Sequence, residues 1–349
     1  MAVGKMKVRW LIGIGSVLAL ALVFVGITLY SWIYKPALTG LDKEKDYLHI
    51  STGSDYEGLL HKLDSLNWLK NIKAFDWVAK RKMLPASIKP GRYEVFQSMS
   101  NDSLVNLLRS GQQSEVGLIF KTMRTFENMA EVVSAQIEAD STSLITLLTD
   151  SRVIDSLGFT PESWMGMFVP NTYRFFWNTN ARGFINRMHR EYQSFWNPDR
   201  LAKLKKVALT KSEIITLAAI VQEETFKQDE MFRVAGVYMN RLRKGIRLQA
   251  DPTIIFAVGD PGIRRVLRKH LQVDSPYNTY KHKGLPPGPI RIPSIQAIDA
   301  CLKYENHNYI YFCAKEDFSG YHSFASSYTQ HLRNARRYRK ALNERNIYN

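Results

Sequence analysis

One glutamate, Glu224, lies near the end of a predicted helix, at a position where the sequence pattern calls for an apolar side chain. The helix is predicted over residues 210–225, because Thr210 followed three residues later by Glu213 is the capping-box pattern of a helix start. At about 100° per residue, the apolar side chains of this segment form one stripe: Ile214, Leu217, Ile220 and Val221. Glu224 falls in the middle of that stripe, whereas Gln222 and Glu223 are predicted to point to its flanks.

A carboxyl group on an apolar face can act as a general acid. Burial disfavours the charged form and raises the pKa of the group, and a carboxyl that stays protonated near neutral pH can donate its proton to a leaving group. The alternative is a glutamate at a helix end that forms an ion pair with Arg233 or Arg241. The sequence of this helix alone leaves both interpretations open.

The composition is that of a globular protein with a strongly basic surface. The chain has 349 residues and a formal net charge of +16, which favours an anionic partner such as an acidic polymer or anionic lipid. Zinc-finger spacing, RNP-like motifs and basic zippers are missing from the sequence, so no nucleic-acid partner is expected. The two cysteines, Cys301 and Cys313, form no metal-binding motif, and we expect no metal and no cofactor. We interpret both as buried free thiols, with a disulfide between them left open.

The segment 10–34 is predicted to be a membrane anchor. It contains no charged residue and is long enough to cross a hydrocarbon core of roughly 30 Å. Lys5, Lys7 and Arg9 precede it, so the positive-inside rule places residues 1–9 in the cytoplasm and the rest of the chain outside. A cleaved signal peptide is the alternative, but the apolar run is longer than usual for one and no A-x-A-like cleavage site follows it.

The remaining chain divides into four predicted regions. Residues 35–46 are a polar tether, and residues 47–120 form a small α+β unit with strands near 48–51, 91–96 and 115–120 and helices over 55–66, 72–82 and 101–108. Residues 121–205 are predicted to be mostly helical. Within them, the aromatic cluster at 175–177 is interpreted as core, with a sugar-binding platform as the alternative.

Residues 206–349 contain the densest functional signals. A second helix is predicted from about Asp229 to Lys244, ended by Gly245, followed by loops rich in Pro, Gly, Asn and Tyr. Long ordered loops of this composition tend to carry function. A strand over 309–314, a turn over 318–322 and a basic helix complete the chain.

These segments resemble the MltG (YceG-like) family, the membrane-anchored endolytic murein transglycosylases of bacteria. The resemblance runs from the anchor to the C-terminus and rests on six stretches in order: IVQEET (220–225), VAGVYMNRLRKGIRLQADPT (234–253), SPYNTY (275–280), GLPPGPI (284–290), YIYF (309–312) and GYHSF (320–324). Two positions depart from the family pattern. Gln222 stands where the family often has Glu, and the turn at 165–173 lacks the family's Glu and Asp, so that turn is assigned no catalytic role.

The resemblance implies an α+β protein with an N-terminal transmembrane helix, a LysM-like module at residues 47–120 and a mixed α+β catalytic domain at residues 206–349. It implies a single-pass protein of the bacterial inner membrane whose periplasmic domain cleaves MurNAc–GlcNAc bonds in nascent glycan strands and leaves 1,6-anhydro-MurNAc ends. Glu224 takes the place of the family's catalytic glutamate. Peptidoglycan strands are the implied substrate, and cell-wall synthases (penicillin-binding proteins) are candidate partners.

Six further polar residues are candidates for positioning the sugar and stabilising oxocarbenium-like charge: Glu230, Gln249, Asp251, Tyr277, Asn278 and His322. Four of them have a specific structural alternative: Glu230 can pair with Arg233 or cap the second helix, Asp251 can form a turn before a proline, Asn278 can satisfy loop backbone groups, and His322 can be a structural hydrogen-bonding residue after the Gly-Tyr turn. Asn240 and Arg241 are expected to support the site from the second helix.

Two other functions remain open at this point. An ordinary glycoside hydrolase would use Asp251 or Glu230 as a second carboxylate. A non-catalytic peptidoglycan-binding scaffold would rely on the LysM-like module and the basic surface.

Overall fold

The computed structural model describes residues 2–263 and 265–345, and the side chains within those ranges from Trp10 onward. The protein is mixed α+β, as predicted, with long helical regions and small sheets. It forms two compact units. The first comprises residues up to 117 together with 136–138 and 174–179, and the second comprises the other residues from 118 on.

The elements up to residue 120 match the predicted order of strands and helices. They are α1 (Ala2–Tyr34), β1 (Lys45–Ile50), α2 (Tyr56–Ser65), α3 (Ile72–Arg81), β2 (Gly91–Phe96), α4 (Asn101–Ser110) and β3 (Glu115–Phe120). Within α1, the 25 residues Trp10–Tyr34 are apolar enough and long enough to cross a membrane, and none of that stretch is buried in the protein. This is a candidate membrane anchor.

The core of the first unit lies between a two-stranded antiparallel sheet and the helices α2, α3 and α4. β1 and β2 pair antiparallel, from Lys45 opposite Phe96 to Ile50 opposite Gly91. The segment predicted as a tether packs onto this unit: Leu38 is buried and forms a β-bridge with Leu69. Whether residues 47–120 are LysM-like stays a prediction.

The elements from residue 126 on include the helices predicted for both later regions. They are α5 (Phe126–Ser134), α6 (Ser141–Leu148), α7 (Ser151–Ser156), β4 (Asn171–Phe176), α8 (Ala181–Phe195), α9 (Pro198–Val207), α10 (Lys211–Glu224), α11 (Gln228–Arg243), α12 (Asp251–Val258), α13 (Ile295–Leu302), β5 (Tyr311–Ala314), β6 (His322–Ala325) and α14 (Tyr328–Glu344). β3 pairs with β4, and β5 pairs antiparallel with β6. Short 3₁₀ segments occur at Leu84–Ala86, Trp164–Met167 and His270–Gln272.

Helix α10 is the centre of the second unit. The predicted capping box is present, since Thr210 and Glu213 each accept a hydrogen bond from the other's backbone N–H. The sequence predicted one buried stripe along this helix, but every residue from Ile214 to Val221 is buried. The reason is that α11, α12, α13 and the Trp164–Met167 segment all pack against it, and a helix that is apolar all round belongs in a core. Glu224 therefore ends a helix that is enclosed on several sides.

Helix α11 packs closely against the segment that leads into β5. A Cβ atom at Gly236 would lie 2.4 Å from the Glu305 carbonyl oxygen and 2.6 Å from His307 Nε2. Only glycine allows this approach, which brings the middle of α11 against the 305–310 segment. Both cysteines are free thiols, as predicted; Cys301 is buried, whereas Cys313 is only partly buried, contrary to the prediction.

Candidate active site

Glu224 is the last residue of α10, and its carboxyl group is held by a tyrosine of the next helix. Tyr238 of α11 donates its hydroxyl hydrogen to Glu224 Oε1 at 2.5 Å. The tyrosine is 1 % exposed, and its ring packs edge-on against Phe312 of β5. Among the described residues, Glu224 forms no ion pair. Arg233 instead pairs with Glu305, and Arg241 bonds to other groups.

The surroundings of Glu224 favour its protonated form. Burial raises the pKa of Glu224 to about 7, opposed by the Tyr238 hydrogen bond and assisted by the nearby Asp251 carboxylate. About half of the molecules therefore carry the proton at neutral pH. This matches the requirement for a general acid, whose pKa should lie near the working pH.

Glu224 opens into a cavity of about 340 Å³. Its walls come from α10, α11, α12, the 275–280 loop, β5 and the first turns of α14. The lining residues are Glu224, Tyr238, Arg241, Leu248, Gln249, Asp251, Tyr280, Tyr311, Phe312, Tyr328 and His331. The mixture of aromatic faces, carboxyl groups and one guanidinium suits a polar ligand with apolar faces, such as a sugar.

Asp251 is the second carboxyl group of the cavity, and it is also capped by a tyrosine. Tyr280 donates its hydroxyl hydrogen to Asp251 Oδ1 at 2.5 Å. Asp251 is the first residue of α12, where the positive end of the helix dipole stabilises a negative charge. Burial and the bond to Asp251 raise the pKa of Tyr280, so this phenol remains a donor. The cavity thus contains two carboxyl groups, each of which accepts a hydrogen bond from a tyrosine hydroxyl.

Gln249 forms part of the wall in a strained backbone conformation. Its φ of +50° lies in the left-handed region that non-glycine residues rarely adopt. The conformation is held from both ends, because the Gln249 N–H donates to the Thr279 carbonyl and its Oε1 accepts from Arg241 Nη2 at 2.5 Å. These two hydrogen bonds hold the strained backbone in place and fix the side chain against the guanidinium.

Arg241 and Asn240 at the end of α11 connect three backbone segments around the cavity. Arg241 donates from Nε to the Arg247 carbonyl at 3.0 Å and from Nη1 to the Ile310 carbonyl at 3.1 Å, in addition to Gln249. Asn240 Nδ2 donates to the carbonyls of His307 and Tyr309. These bonds support the expectation that both residues hold the site together. Arg241 additionally lines the cavity itself.

The neighbours of Glu224 on α10 face other partners, as predicted. Gln222 accepts a hydrogen bond from the Ser294 N–H. Glu223 is bound by Arg291 and by Arg124 Nη2. Glu223 and Arg124 also border a separate, mostly apolar cavity of about 200 Å³ that includes Phe256 of α12.

Glu230 and His322 do not line the cavity but form a hydrogen-bonded pair, in which Glu230 is buried and His322 is partly buried. The His322 N–H donates to Glu230 Oε1 at 2.7 Å, and His322 Nδ1 lies 2.8 Å from Oε2, which also accepts the Thr225 hydroxyl. Burial alone would raise the pKa of Glu230, but the His322 bonds outweigh it and lower the pKa. The pair ties the start of α11 to β6, and the Thr225 hydroxyl joins the loop after α10 to it. His322 also packs edge-on against Phe312, a cavity residue.

Tyr277 and Asn278 are not among the residues that line the cavity. The Tyr277 ring packs on Phe256 with 4.7 Å between centroids. Asn278 is fully buried, and its amide bonds to backbone groups of Leu271, Val273, Tyr280 and Lys281. In this structure both residues shape the 275–280 loop that presents Tyr280.

Of the residues predicted for the site, Glu224, Gln249 and Asp251 share one cavity, while the other four surround it. The sequence analysis did not single out several cavity residues: Tyr238, Tyr280, Tyr311, Phe312, Tyr328 and His331. Tyr280 and the pair at 311–312 lie in stretches noted for their composition. Tyr238 lies in the 234–253 stretch that carries the family resemblance, but nothing in that stretch singled it out, because its partner is 14 positions away on another helix.

Fold and cavity define an α+β protein with a candidate membrane anchor and a protonatable carboxyl group set in a cavity of aromatic and polar walls. The chain belongs to the YceG-like family, whose profile matches residues 48–337.

Proteins similar to this chain carry a name that states an enzymatic activity. A Bacillus subtilis (strain 168) protein named endolytic murein transglycosylase is 27 % identical over 317 residues, covering 85 % of this chain and 86 % of that protein. A protein of the same name from Streptococcus pneumoniae serotype 2 (strain D39 / NCTC 7466) is 26 % identical over 316 residues. That match covers 82 % of this chain but 57 % of the longer pneumococcal protein.

A solved structure supports the fold. The crystal structure of a YceG-like protein from Listeria monocytogenes superimposes with a TM-score of 0.55 at 26 % identity, covering 84 % of this chain and 99 % of that one.

Proposed function

We propose that this protein is a membrane-anchored endolytic murein transglycosylase that cleaves MurNAc–GlcNAc bonds within glycan strands and uses Glu224 as its single general acid and base. The proposal is carried by one observation: the carboxyl group that the family resemblance selects is the one that burial brings to a pKa of about 7 beside a cavity. The names of the relatives support the same class of enzyme.

The reaction needs one carboxyl group and no water. Protonated Glu224 donates its proton to the glycosidic oxygen as the bond from that oxygen to C1 of the muramyl residue breaks. The resulting Glu224 carboxylate then accepts the proton of the C6 hydroxyl, whose oxygen attacks C1 and closes the 1,6-anhydro ring. Glu224 ends the cycle protonated, so the proton count balances without a second catalytic group.

The other cavity groups have supporting roles in this scheme. The Asp251 carboxylate, fixed by Tyr280, contributes negative charge that stabilises an oxocarbenium-like centre and favours the protonated state of Glu224. The rings of Tyr311 and Tyr328 offer apolar faces for pyranose rings. Gln249 presents its amide in one fixed orientation.

The proposed location follows from the N-terminal segment. Lys5, Lys7 and Arg9 precede the apolar helix, and the positive-inside rule supports a cytoplasmic N-terminus with the second unit on the cell-wall side of the membrane. Residues 47–120 are proposed to act as a LysM-like module and residues 206–349 as the catalytic domain.

We expect product strands to end in 1,6-anhydro-MurNAc, because the C6 hydroxyl and not water captures C1. The test is mass spectrometry of purified strands digested by the full chain in water labelled with heavy oxygen. Anhydro ends are one water lighter than hydrolytic ends and contain no label. Labelled reducing ends in place of the anhydro ends would contradict the transglycosylase proposal.

A hydrolase is the second candidate function, and one observation favours it: Asp251 lies in the same cavity as Glu224. Inverting and retaining glycosidases both work with a pair of carboxyl groups. The digest separates the two functions, because only hydrolysis adds one water to each cut strand, whereas the transglycosylase leaves anhydro ends that have no hemiacetal oxygen to exchange with the labelled water.

The activity is expected to fall as the pH rises through about 7. The raised pKa keeps Glu224 protonated below that value, and kcat/KM should then drop about tenfold per pH unit above it. With the ordinary value of 4.5, roughly 0.3 % of molecules would be protonated at pH 7. Initial cleavage rates between about pH 4 and 9 give the midpoint, with circular dichroism at each pH as the control for folding. A midpoint close to 4.5, or a flat profile over the whole range, would contradict the assignment.

A further inference from the structure

The hydrogen bond between Tyr238 and Glu224 makes the two oxygens of the carboxyl group unequal. Oε1 accepts the phenol at 2.5 Å, whereas Oε2 has no hydrogen-bond partner among the described residues. A proton on Oε1 would compete with the phenol hydrogen for the same short contact. The arrangement therefore favours Oε2 as the protonated oxygen.

We infer that Tyr238 is a positioning residue that holds Glu224 through Oε1 and leaves Oε2 as the one oxygen that exchanges a proton with the substrate. The inference rests on the proposed function for the identity of the proton acceptor, the glycosidic oxygen. The contact itself, between two helices of the second unit, does not depend on it.

The phenol is well suited to this task because it cannot move or ionise easily. Tyr238 is 1 % exposed and its ring is fixed against Phe312 with 5.9 Å between centroids. Burial, followed by the proximity of Glu224, raises the pKa of Tyr238 well above its ordinary value. The hydroxyl thus remains a neutral donor throughout the range in which Glu224 titrates.

The same bond explains why the carboxyl group is not trapped in its protonated form. Donation from Tyr238 stabilises the carboxylate and opposes the effect of burial. Glu224 must release its proton in the first step and regain one in the second, so a pKa pushed far above neutrality would hinder the cycle. The Tyr238 hydrogen bond to Oε1 offsets part of the pKa rise that burial causes, while the transferred proton is carried by Oε2.

Other titratable groups face or flank Glu224, and a test has to leave them in place. They are Glu223 on α10, Arg241 on α11, Asp251 on α12, Tyr280 in the 275–280 loop and His322 on β6. Helix α13 also packs on α10 and contributes Asp299, whose carboxylate is bound by Arg200, and the buried thiol of Cys301. The Trp164–Met167 segment adds no titratable side chain.

The test is the Tyr238→Phe variant of the full chain, which removes one oxygen and keeps the ring. We expect the alkaline limb of kcat/KM to move up by roughly one pH unit, because the carboxylate loses a donor. We also expect kcat on the acidic plateau to fall roughly tenfold or more, because the proton is no longer confined to Oε2. An unchanged limb together with an unchanged plateau would overturn the inference.

Tyr173→Phe is the matched control. Tyr173 is also buried in the second unit, and it donates to the Val169 carbonyl at 2.6 Å, outside the cavity. This variant should lose stability in the same way as Tyr238→Phe but keep the wild-type pH profile. If both variants move the limb equally, the effect is structural and the inference fails.

A second measurement keeps the inference independent of activity. Carbon-13 labelling of the glutamate side chains, with the signal assigned by its loss in Glu224→Gln, gives the pKa of Glu224 by NMR in wild type and in Tyr238→Phe. A rise of roughly one unit in the variant supports the contact, and an equal pKa refutes it. Full cleavage by Glu224→Gln would instead refute the proposed function, so the two failures are distinguishable.

Discussion

Replacing Glu224 by Gln is expected to lower the rate of glycan cleavage by roughly a hundred- to ten-thousandfold. The amide keeps the size of the side chain and can still accept the Tyr238 hydroxyl, but it cannot donate a proton to a leaving oxygen or accept one from the C6 hydroxyl. Because the same group acts in both steps, the upper part of that range is expected. Single-turnover digestion of purified strands measures the loss.

The control for this variant is Glu213→Gln on the same helix. Glu213 accepts the Thr210 N–H in the capping box, and glutamine can replace it in that role. Its activity should stay within a factor of two or so of wild type, since surface substitutions of this kind change stability little. Equal activity of Glu224→Gln and wild type would exclude Glu224 as the acid.

The free energy of unfolding of the Glu224→Gln variant is also expected to depend on pH differently from that of the wild type. A carboxyl whose pKa rises from 4.5 in the unfolded chain to about 7 in the folded protein contributes its full stability below pH 4.5, and that contribution is lost as the pH rises through about 7. The glutamine has no charge to lose. The variant should therefore match wild type at pH 4 and exceed it by up to about 3 kcal/mol at pH 9, measured by denaturant unfolding.

Local rules were sufficient to find Glu224 but not its partner. The capping box located the start of α10, and helical periodicity placed Glu224 among apolar side chains. Tyr238 contacts it from another helix, and such a contact depends on how α10 and α11 pack, which the residue pattern of a single helix does not report. The sequence also understated the burial of α10, since periodicity reports one face and cannot show how many neighbours a helix has.

The loop residues illustrate a second limit of sequence reasoning. A polar residue in an ordered loop can bind a ligand or satisfy the loop's own backbone, and composition does not distinguish the two. Asn278 bonds entirely to backbone groups, whereas Tyr280 in the same stretch reaches Asp251 in the cavity. Within the 275–280 segment, the side chain that lines the cavity is therefore Tyr280, and neither Tyr277 nor Asn278.

Replacing Arg241 by Met is expected to lower the free energy of unfolding of the second unit by about 3 kcal/mol and to reduce cleavage sharply. The guanidinium is 7 % exposed and satisfies the carbonyls of Arg247 and Ile310 together with the side chain of Gln249. Each buried acceptor left without its donor costs about 1–3 kcal/mol. Gln249, held at a φ of +50°, would lose the contact that fixes it in the cavity wall. Calorimetry and cleavage rates measure the two effects.

Two further substitutions test whether the hydrogen bonds of Arg241 matter, or only its positive charge or the loss of any arginine from this end of α11. Arg241→Lys keeps the charge, but one ammonium group cannot reach three acceptors that lie in different directions, so it should lose nearly as much stability as Arg241→Met. Arg243→Met lies two residues further along α11, where the exposed guanidinium contacts Tyr304, and should change stability by no more than about 0.5 kcal/mol. If the lysine variant retained wild-type stability and activity, positive charge alone would account for the role of Arg241, and the three directed hydrogen bonds would not be what holds the cavity wall.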